Sequence, residues 1–342
     1  MDIGGRKKMK ARIRRAAALF SLLVLLIPLY AGADENKPRT TRPPLVTEPP
    51  VSEPETPERD AEGFLVSEGE FIWEDDEGGL WMYLSGTLQV VIRRLQDKSI
   101  PLIWFETEVR TRGEERFRTV MTNPDHPART YKFPYKIAQE EGFVLGFTDD
   151  FYADRMKNNQ TVGIIIREGR IISDKTNRKR NSHLPNLDMM IQYPDDRLEV
   201  CGCTEYTAEE LLEKGALNVF SFGPILIRDG ELNEQALNKY GTSHAQRTAV
   251  GMVEKGHYFF MMLEGRIKRS KGDGISFLAE KLLEKGCTLG FNLDGGDTSC
   301  IVFMGHQLCK MTNGKRNLSS RRTSDILGVG TSELLPAVSD PW

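Results

Sequence analysis

The stretch from Phe291 to Gly305, FNLDGGDTSCIVFMG, combines residue types that could do chemistry. An apolar run leads into two adjacent glycines. Amide, carboxylate and hydroxyl side chains surround them: Asn292, Asp294, Asp297, Thr298 and Ser299. Because glycine has no Cβ, the backbone amides of Gly295 and Gly296 can approach a ligand closely. The pattern predicts either a site for an anionic or sugar ligand or a tight turn flanked by solvated acids.

Two other predicted strand ends carry charged residues. In SHAQRTAVGM, Arg247 stands at the start of an apolar strand, and arginine is suited to bidentate contact with phosphate or carboxylate. In FFMMLEGR, Glu264 and Arg266 follow five apolar residues, as where a buried strand emerges at a polar cleft. Each pattern also has a simpler interpretation, a surface arginine at a strand edge and an ordinary turn.

Other chemistries fit the sequence poorly. The triplet Asp297–Ser299 resembles that of aspartic proteases, but Cys300 stands where those enzymes need glycine. The five histidines lack metal-ligand spacing, and Asp294 and Asp297 alone supply too few oxygens for a calcium site. We therefore expect no metal and no cofactor.

Charge is unevenly distributed along the 342 residues. The net charge is −3, but the first 15 residues hold seven Lys or Arg against one Asp, which leaves 39 basic and 48 acidic residues, or −9, in the remainder. Binding to nucleic-acid phosphates needs a basic face. The sequence thus argues against a general nucleic-acid binder.

The N-terminal region has the pattern of a targeting segment followed by a linker. A basic head precedes an uncharged apolar run from Ala16 to Ala33 that ends in Ala-Gly-Ala. Residues 1–33 are therefore a predicted signal peptide or, since the run is about long enough to cross a bilayer, an uncleaved membrane anchor. Either places the bulk of the chain outside, secreted or on the extracellular face of the membrane. Residues 34–62, rich in Pro, Thr and Glu, predict a disordered stalk.

The folded domain is predicted over residues 63–331, with a tail at 332–342. Residue-Gly pairs joining two apolar runs predict three hairpins, at Glu168-Gly169, Asp229-Gly230 and Lys255-Gly256. Helices are predicted over Thr207–Gly215 with a capping box, Ile275–Gly286, and 134–142. Strands outnumber helices, which predicts an α+β fold with a mainly antiparallel or mixed sheet and a few packed helices.

The chain has five cysteines, so at least one thiol has no partner within the chain. Cys300 and Cys309 flank a predicted hairpin and could lie close together. Cys201 and Cys203 are too near in sequence for ordinary disulfide geometry and lack zinc-site spacing. Structural or idle thiols are the expectation.

Ordered blocks from Leu145 to Gly330 resemble the phosphodiester glycosidase family. They include LGFTDDFYAD, VGIIIREGRII, NVFSFGPILIRDGEL, QRTAVGMVEKGHYFFMMLEGR and GFNLDGGDTSCIVFMG. The family's most recognisable block reads Asn-Leu-Asp-Gly-Gly-Gly-Ser, and residues 292–296 of this sequence match its first five positions.

The resemblance implies a hydrolase that cleaves the glycosidic bond of a sugar-1-phosphodiester in a surface glycan or its precursor. It implies Asp294 as base or nucleophile, with Glu264 or Asp150 as the second acid. Arg247 would hold the phosphate or another anionic group. The other expected substrate-binding residues are Thr248, Arg266, Asn292, Gly295, Gly296, Thr298 and Ser299.

Two departures from the family pattern affect that expectation. Asp297 replaces the third glycine, and like charges about 4 Å apart cost on the order of 4 kcal/mol at an effective dielectric near 20. Thr148 replaces an asparagine, which removes an amide. They motivate an alternative, a catalytically impaired glycan-binding or envelope-associated protein on the same scaffold.

Overall fold

The computed structural model describes residues 45–47, 51–126, 129–150, 161–175, 187–241, 244–312, 317–318 and 321–335. The predicted signal or anchor lies outside these ranges, as do parts of the predicted stalk and tail. Those domain boundaries stay predictions. No helix within the described ranges is long and apolar enough to cross a membrane.

The first sheet has nine antiparallel strands. Their spatial order is β1 (Phe71–Asp75), β2 (Leu80–Leu84), β3 (Leu88–Asp97), β4 (Leu102–Thr111), β15 (His257–Leu263), β14 (Arg247–Glu254), β16 (Leu289–Leu293), β12 (Ile225–Arg228) and β13 (Glu231–Leu232). Residues 51–62 precede this sheet without a regular element, and they contact it through ion pairs of Glu53 with Arg93 (2.5 Å) and of Asp60 with Arg112 (2.6 Å).

Two further antiparallel sheets, each of five strands, lie in the part of the chain that the structure describes. The second sheet has the order β10 (Leu198–Cys201), β9 (Asp188–Gln192), β11 (Asn218–Phe222), β7 (Gly163–Arg167) and β8 (Arg170–Lys175). The third has the order β18 (His306–Gln307), β17 (Ile301–Phe303), β6 (Phe143–Phe147), β21 (Asp325–Thr331) and β5 (Arg118–Met121). A separate two-stranded ladder joins β19 (Met311–Thr312) and β20 (Asn317–Leu318).

One hydrophobic core is shared by all three sheets. It includes Phe105 and Phe260 of the first sheet, Phe220 of the second, and Phe147 and Phe303 of the third, all fully or almost fully buried. Smaller clusters lie on the other faces of the sheets, where the helices pack. The strands are therefore covered on both faces over much of their length, which explains their long runs of buried residues.

Within the described ranges, four α-helices cover the sheets. They are α1 (Pro134–Glu140) on the third sheet, α2 (Ala208–Glu213) on the second, and α3 (Glu234–Tyr240) and α4 (Ile275–Glu284) on the first. The capping box expected at the start of α2 is present, since Thr207 and Glu210 each bond the other's backbone N–H. At the end of α4, Gly286 has φ +80° and the Cys287 N–H donates to the Leu282 carbonyl, which satisfies the last turn.

The predicted α+β class with a mainly antiparallel sheet and few helices is confirmed. The three predicted hairpins form β7–β8, β12–β13 and β14–β15, and the three predicted helices are α1, α2 and α4. Every ladder in the described ranges is antiparallel, so the mixed-sheet option is not needed there. Helix α3 was not predicted, although the Asn233 side chain caps its first turn.

Close packing between β14 and α4 gives a testable consequence. A Cβ at Gly251 would lie 2.7 Å from the Cys287 sulfur and 2.8 Å from Leu282 Cδ2. We expect Gly251→Ala to lower the free energy of unfolding by about 1–3 kcal/mol, because added volume in a packed core forces its neighbours to move. The Gly86→Ala control meets nothing closer than 4.0 Å and should change the urea midpoint little.

Candidate active site

Three strand ends of the first sheet bring the predicted site residues to one edge. Strand β14 begins at Arg247, which lies opposite Leu263, the last residue of β15. Its next residue, Thr248, lies opposite Leu293, the last residue of β16. Glu264 and Asp294 therefore leave the sheet on the two sides of Arg247. Two strand spacings separate the ends of β15 and β16, or about 10 Å between the backbones of these two strands.

The other two sheets meet the first at this edge. The backbone N–H of Asp294 donates to the carbonyl of Asp149, two residues after β6 of the third sheet (3.2 Å). The Asn292 side-chain N–H donates to the carbonyl of Gly223, directly after β11 of the second sheet (2.7 Å). The candidate site thus lies where strand ends of all three sheets converge.

Asp294 is the half-buried one of the three predicted catalytic acids, whereas Glu264 and Asp150 are buried. Its Oδ1 accepts a hydrogen bond from the Gly295 N–H (2.8 Å), and its carbonyl accepts one from the Thr248 hydroxyl. The carboxylate is therefore held at the surface of the site by its own loop, residues 294–300, which connects β16 to β17 and is called the glycine loop or Asp294 loop below. Thr248 is fully buried, so its contact is with the backbone of that loop.

Gly295 and Gly296 are required because their backbone lies close to the backbone of Gln246. The Gly296 N–H donates to the carbonyl of Gln246 (3.0 Å), and a Cβ on Gly295 would lie 3.0 Å from the same oxygen. Gly296 also has φ +63°, which favours glycine. Both amides that were expected to orient a sugar already have acceptors within the protein.

Thr298, Ser299 and Asn292 lie beneath the loop. A 3-10 turn spans Gly296–Thr298, and both hydroxyl residues are almost fully buried. The Asn292 Oδ1 and the side-chain amide of Gln246 are buried without a hydrogen-bond partner among the described residues. Polar groups without partners are costly to bury. The side chains of Asn292 and Gln246 therefore have donor and acceptor atoms that can make further polar contacts.

Glu264 is fully buried at the end of β15. Its Oε1 accepts hydrogen bonds from Arg269 (2.5 Å) and from the Lys310 backbone N–H (2.7 Å). Its Oε2 has no hydrogen-bond partner within the described ranges. Burial raises the pKa of Glu264, which favours the protonated carboxyl. A buried acid of this kind suits proton donation.

Asp150, the other candidate for second acid, is part of a buried ion cluster. One Arg167 guanidinium nitrogen lies 2.9 Å from Asp150, 3.2 Å from Asp149 and 3.8 Å from Asp325. A second guanidinium nitrogen, Nη1, donates to the Val219 carbonyl (2.6 Å). The three carboxylates are close enough to one another to hold a metal ion, but the guanidinium already supplies positive charge among them.

The remaining charged residues near the loop are mostly basic. The Arg321 side chain lies 3.2 Å from the Asp297 carboxylate, and its backbone N–H donates to the Asp297 carbonyl (2.8 Å). A Cβ on Gly296 would lie 3.7 Å from Arg266, and one on Gly295 would lie 3.8 Å from Arg247. The charge that Asp297 adds to the loop is thus countered by Arg321.

Thr148, which replaces a family asparagine, also has a defined structural role. Its hydroxyl accepts a hydrogen bond from the Cys300 backbone N–H (2.8 Å). This contact ties the end of the glycine loop to the end of β6. Thr148 therefore helps to hold the glycine loop in place beneath the candidate site.

Sequence reasoning missed four residues that shape this site. They are Arg167, Gln246, Arg269 and Arg321. Arg167 had a weak signal, because a charged residue ends the apolar strand GIIIR. The others lie in turns and loops, where nothing in the local sequence marks their partners.

Replacing Arg167 tests the buried ion cluster. We expect Arg167→Met to lower the free energy of unfolding by about 3–5 kcal/mol, because it leaves buried carboxylates without their counter-charge. The control is Arg170→Met, in the same hairpin, whose exposed pair with Asp125 contributes about 0–1 kcal/mol. Urea unfolding at neutral pH gives both values, and equal losses for the two variants would refute the assignment.

The pH dependence of stability tests Asp149 in the same cluster. Burial raises the pKa of its carboxyl from 3.8 to about 7, and the Arg167 charge offsets this only in part. Between about pH 4 and 7 the unfolded chain releases this proton while the folded chain keeps it. Stability from this group is thus present below the unfolded pKa and is lost as the pH rises, by at most about 1.4 kcal/mol per pH unit.

We therefore expect Asp149→Asn to lose less stability than the unmodified protein between pH 4 and 7. Urea midpoints measured across this range give the comparison. The exposed Asp125→Asn variant should follow the unmodified protein. Parallel curves for Asp149→Asn and the unmodified protein would contradict the raised pKa.

Solved structures and curated proteins provide independent comparisons. The catalytic domain of zebrafish N-acetylglucosamine-1-phosphodiester alpha-N-acetylglucosaminidase, auto-inhibited by its pro-peptide, superposes with a TM-score of 0.54 at 18% identity, covering 72% of this chain and 83% of that chain. This likeness shows the fold. A hypothetical protein from Synechocystis superposes with a TM-score of 0.49 at 13% identity, covering 72% and 62% of the two chains.

A curated relative covers a shorter region. The SPbeta prophage-derived uncharacterized protein YomE of Bacillus subtilis (strain 168) is 25% identical over 159 residues, which are 46% of this chain and 24% of that protein. This chain therefore spans about a quarter of the length of that relative.

The family assignment rests on the larger part of the chain. Residues 141–330 match the phosphodiester glycosidase family, and they contain the Asp294 loop, the Arg247 strand and the Glu264 turn. Since this region is more than half of the 342 residues, the protein belongs to the phosphodiester glycosidase family.

Proposed function

We propose that this protein is a hydrolase that cleaves the glycosidic bond of a sugar-1-phosphodiester. The observation that carries the proposal is the placement of a half-buried Asp294 and a buried Glu264 on the two sides of Arg247, at an edge where Arg266 adds a second positive charge. A carboxylate near the anomeric carbon and cations near the phosphate are what this reaction requires.

In the proposed reaction, Asp294 acts at the anomeric carbon, either by taking a proton from the attacking water or as the nucleophile. The bond between the anomeric carbon and the phosphate oxygen breaks, and its electron pair stays on the phosphate. The products are the free sugar and a phosphate monoester. A phosphate ester leaves with little protonation, so arginine charges contribute most to stabilising it.

Glu264 is the proposed second acid in preference to Asp150. Its Oε2 has no partner among the described residues, and burial favours the protonated form that can donate. Asp150 is instead paired with Arg167 at 2.9 Å, where its charge stabilises the fold. Arg269, bonded to Glu264 Oε1, would stabilise the carboxylate that forms after proton transfer.

The substrate and location extend this proposal. The zebrafish relative acts, by its name, on an N-acetylglucosamine-1-phosphodiester, and this supports a sugar-1-phosphodiester here. The basic head and apolar run at the N-terminus support export, to the extracellular face of the membrane or beyond. A surface glycan or its precursor is then the proposed source of the substrate.

A second candidate is a glycan-binding protein without turnover on the same scaffold. It is favoured by the two altered positions, since Thr148 holds the Cys300 backbone and Asp297 is bound to Arg321. Groups committed to supporting the loop are less available to a substrate. Arginines at the same edge would still bind an anionic sugar.

Turnover of the methyl phosphodiester of N-acetylglucosamine 1-phosphate tests the catalytic assignment. We expect Asp294→Asn to lower kcat/KM about 10²–10⁴-fold, as for removal of a general base. The matched control is Asp229→Asn, in an exposed turn of the same chain, which should keep the unmodified rate. Released reducing sugar is the readout.

The outcomes separate the two candidates. An Asp294→Asn variant that retains most of the activity would remove Asp294 from the reaction. If the unmodified protein binds N-acetylglucosamine 1-phosphate by calorimetry but shows no turnover of this or related phosphodiesters, the glycan-binding candidate replaces the hydrolase.

A further inference from the structure

A short hairpin follows the glycine loop directly. Strands β17 and β18 are joined by a two-residue turn, with Phe303 opposite His306 and the preceding residue opposite Gln307. The Leu308 N–H donates to the Ile301 carbonyl (3.0 Å), so the same register continues one step beyond the assigned strands. The next step places Cys309 opposite Cys300.

The expected spacing of this pair suits a disulfide. Hydrogen-bonded and non-hydrogen-bonded pairs alternate along an antiparallel ladder, and the Ile301–Leu308 pair is hydrogen-bonded. Cys300 and Cys309 therefore fall at a non-hydrogen-bonded position, where Cα atoms lie about 4.5 Å apart. Disulfides span Cα separations of about 4.4–6.8 Å. Burial is the main cause of the raised pKa of Cys300, and the nearby Cys309 thiol raises it further, consistent with close thiols.

We propose that Cys300 and Cys309 form a cross-strand disulfide when the folding chain meets a disulfide oxidant such as oxidised glutathione. Two S–H bonds are lost and one S–S bond forms between the cysteines. The two electrons and two protons pass to glutathione disulfide, which becomes two molecules of reduced glutathione.

The other cysteines compete poorly for either partner. Cys201 and Cys203 are separated by one residue, and they lie at the end of β10 in the second sheet. Cys287 is buried beneath α4 on the first sheet, against Gly251. The β17–β18 register brings Cys300 and Cys309 together without any of these residues.

The bond would connect two supports of the candidate site. The Cys300 N–H donates to the Thr148 hydroxyl (2.8 Å), which anchors the glycine loop. The residue after Cys309 is Lys310, whose N–H donates to Glu264 Oε1 (2.7 Å). A covalent link would therefore hold the Asp294 loop and the Glu264 donor in one register. Formation of the bond does not depend on the proposed hydrolase activity.

Burial determines when the bond can form. Both sulfurs are almost fully buried, and burial raises the pKa of Cys300, so little reactive thiolate is available in the folded protein. Cys203 is half-buried and remains accessible by comparison. We expect the bond to form while the chain folds, and to resist exchange afterwards.

The experiment refolds the full chain from reduced, denatured protein, once in a glutathione redox buffer and once in excess reductant. Remaining thiols are trapped with N-ethylmaleimide under denaturing conditions, and non-reduced peptides are analysed by mass spectrometry. The expected product contains a peptide linking Cys300 to Cys309, and its titratable thiols fall from five to three. The protein refolded in reductant keeps all five.

Two variants complete the test. Cys201→Ser/Cys203→Ser should form the same linked peptide, whereas Cys309→Ser should not. The oxidised unmodified protein should also melt at a higher temperature than its reduced form, with no such difference in Cys309→Ser. The proposal is overturned if five thiols persist in the redox buffer, or if Cys300 is linked to any other cysteine.

Discussion

The structure depends on one buried guanidinium. Arg167 ends a strand of the second sheet and pairs with Asp149 and Asp150, in the segment that follows β6, with Asp325 of the third sheet nearby. It is also placed over the ring of Phe220, at 4.8 Å. A charge buried this deeply is tolerated only because several acceptors surround it. The cluster therefore fixes where the second and third sheets meet.

That junction also fixes the candidate site. The carbonyl of Asp149 accepts the backbone N–H of Asp294, so the half-buried carboxylate is placed by the same segment that carries the ion cluster. On its other side, the Thr248 hydroxyl and the Gln246 carbonyl bind the loop from the neighbouring strand. The most exposed of the three candidate acids thus rests on a segment that carries a buried ion cluster, which is the arrangement that keeps a reactive group in one geometry.

The sequence predicted much of the framework and only part of the site. Hairpins at residue-Gly pairs and helices with capping signals are encoded within about ten residues, so local pattern was sufficient for them. The Asp294 loop was also visible, since two glycines after an apolar strand are unusual. Arg167 was not, because its carboxylate partners come from a different sheet, and a strand-ending arginine more often faces solvent. The Asp297–Arg321 pair was missed because its partners lie in separate loops, 24 positions apart in the sequence.

Strand order has a further consequence for how the chain reaches this structure. In the first sheet, β4 pairs along its length with β15, so Trp104 lies opposite Leu263. In the third sheet, β21 lies between β6 and β5, which precede it by most of the domain. Contacts so distant in sequence require large loops to close before they stabilise anything, which slows folding. A chain emerging from the ribosome would hold unpaired strand edges until residue 331 had been made, and such edges are prone to aggregation in that interval.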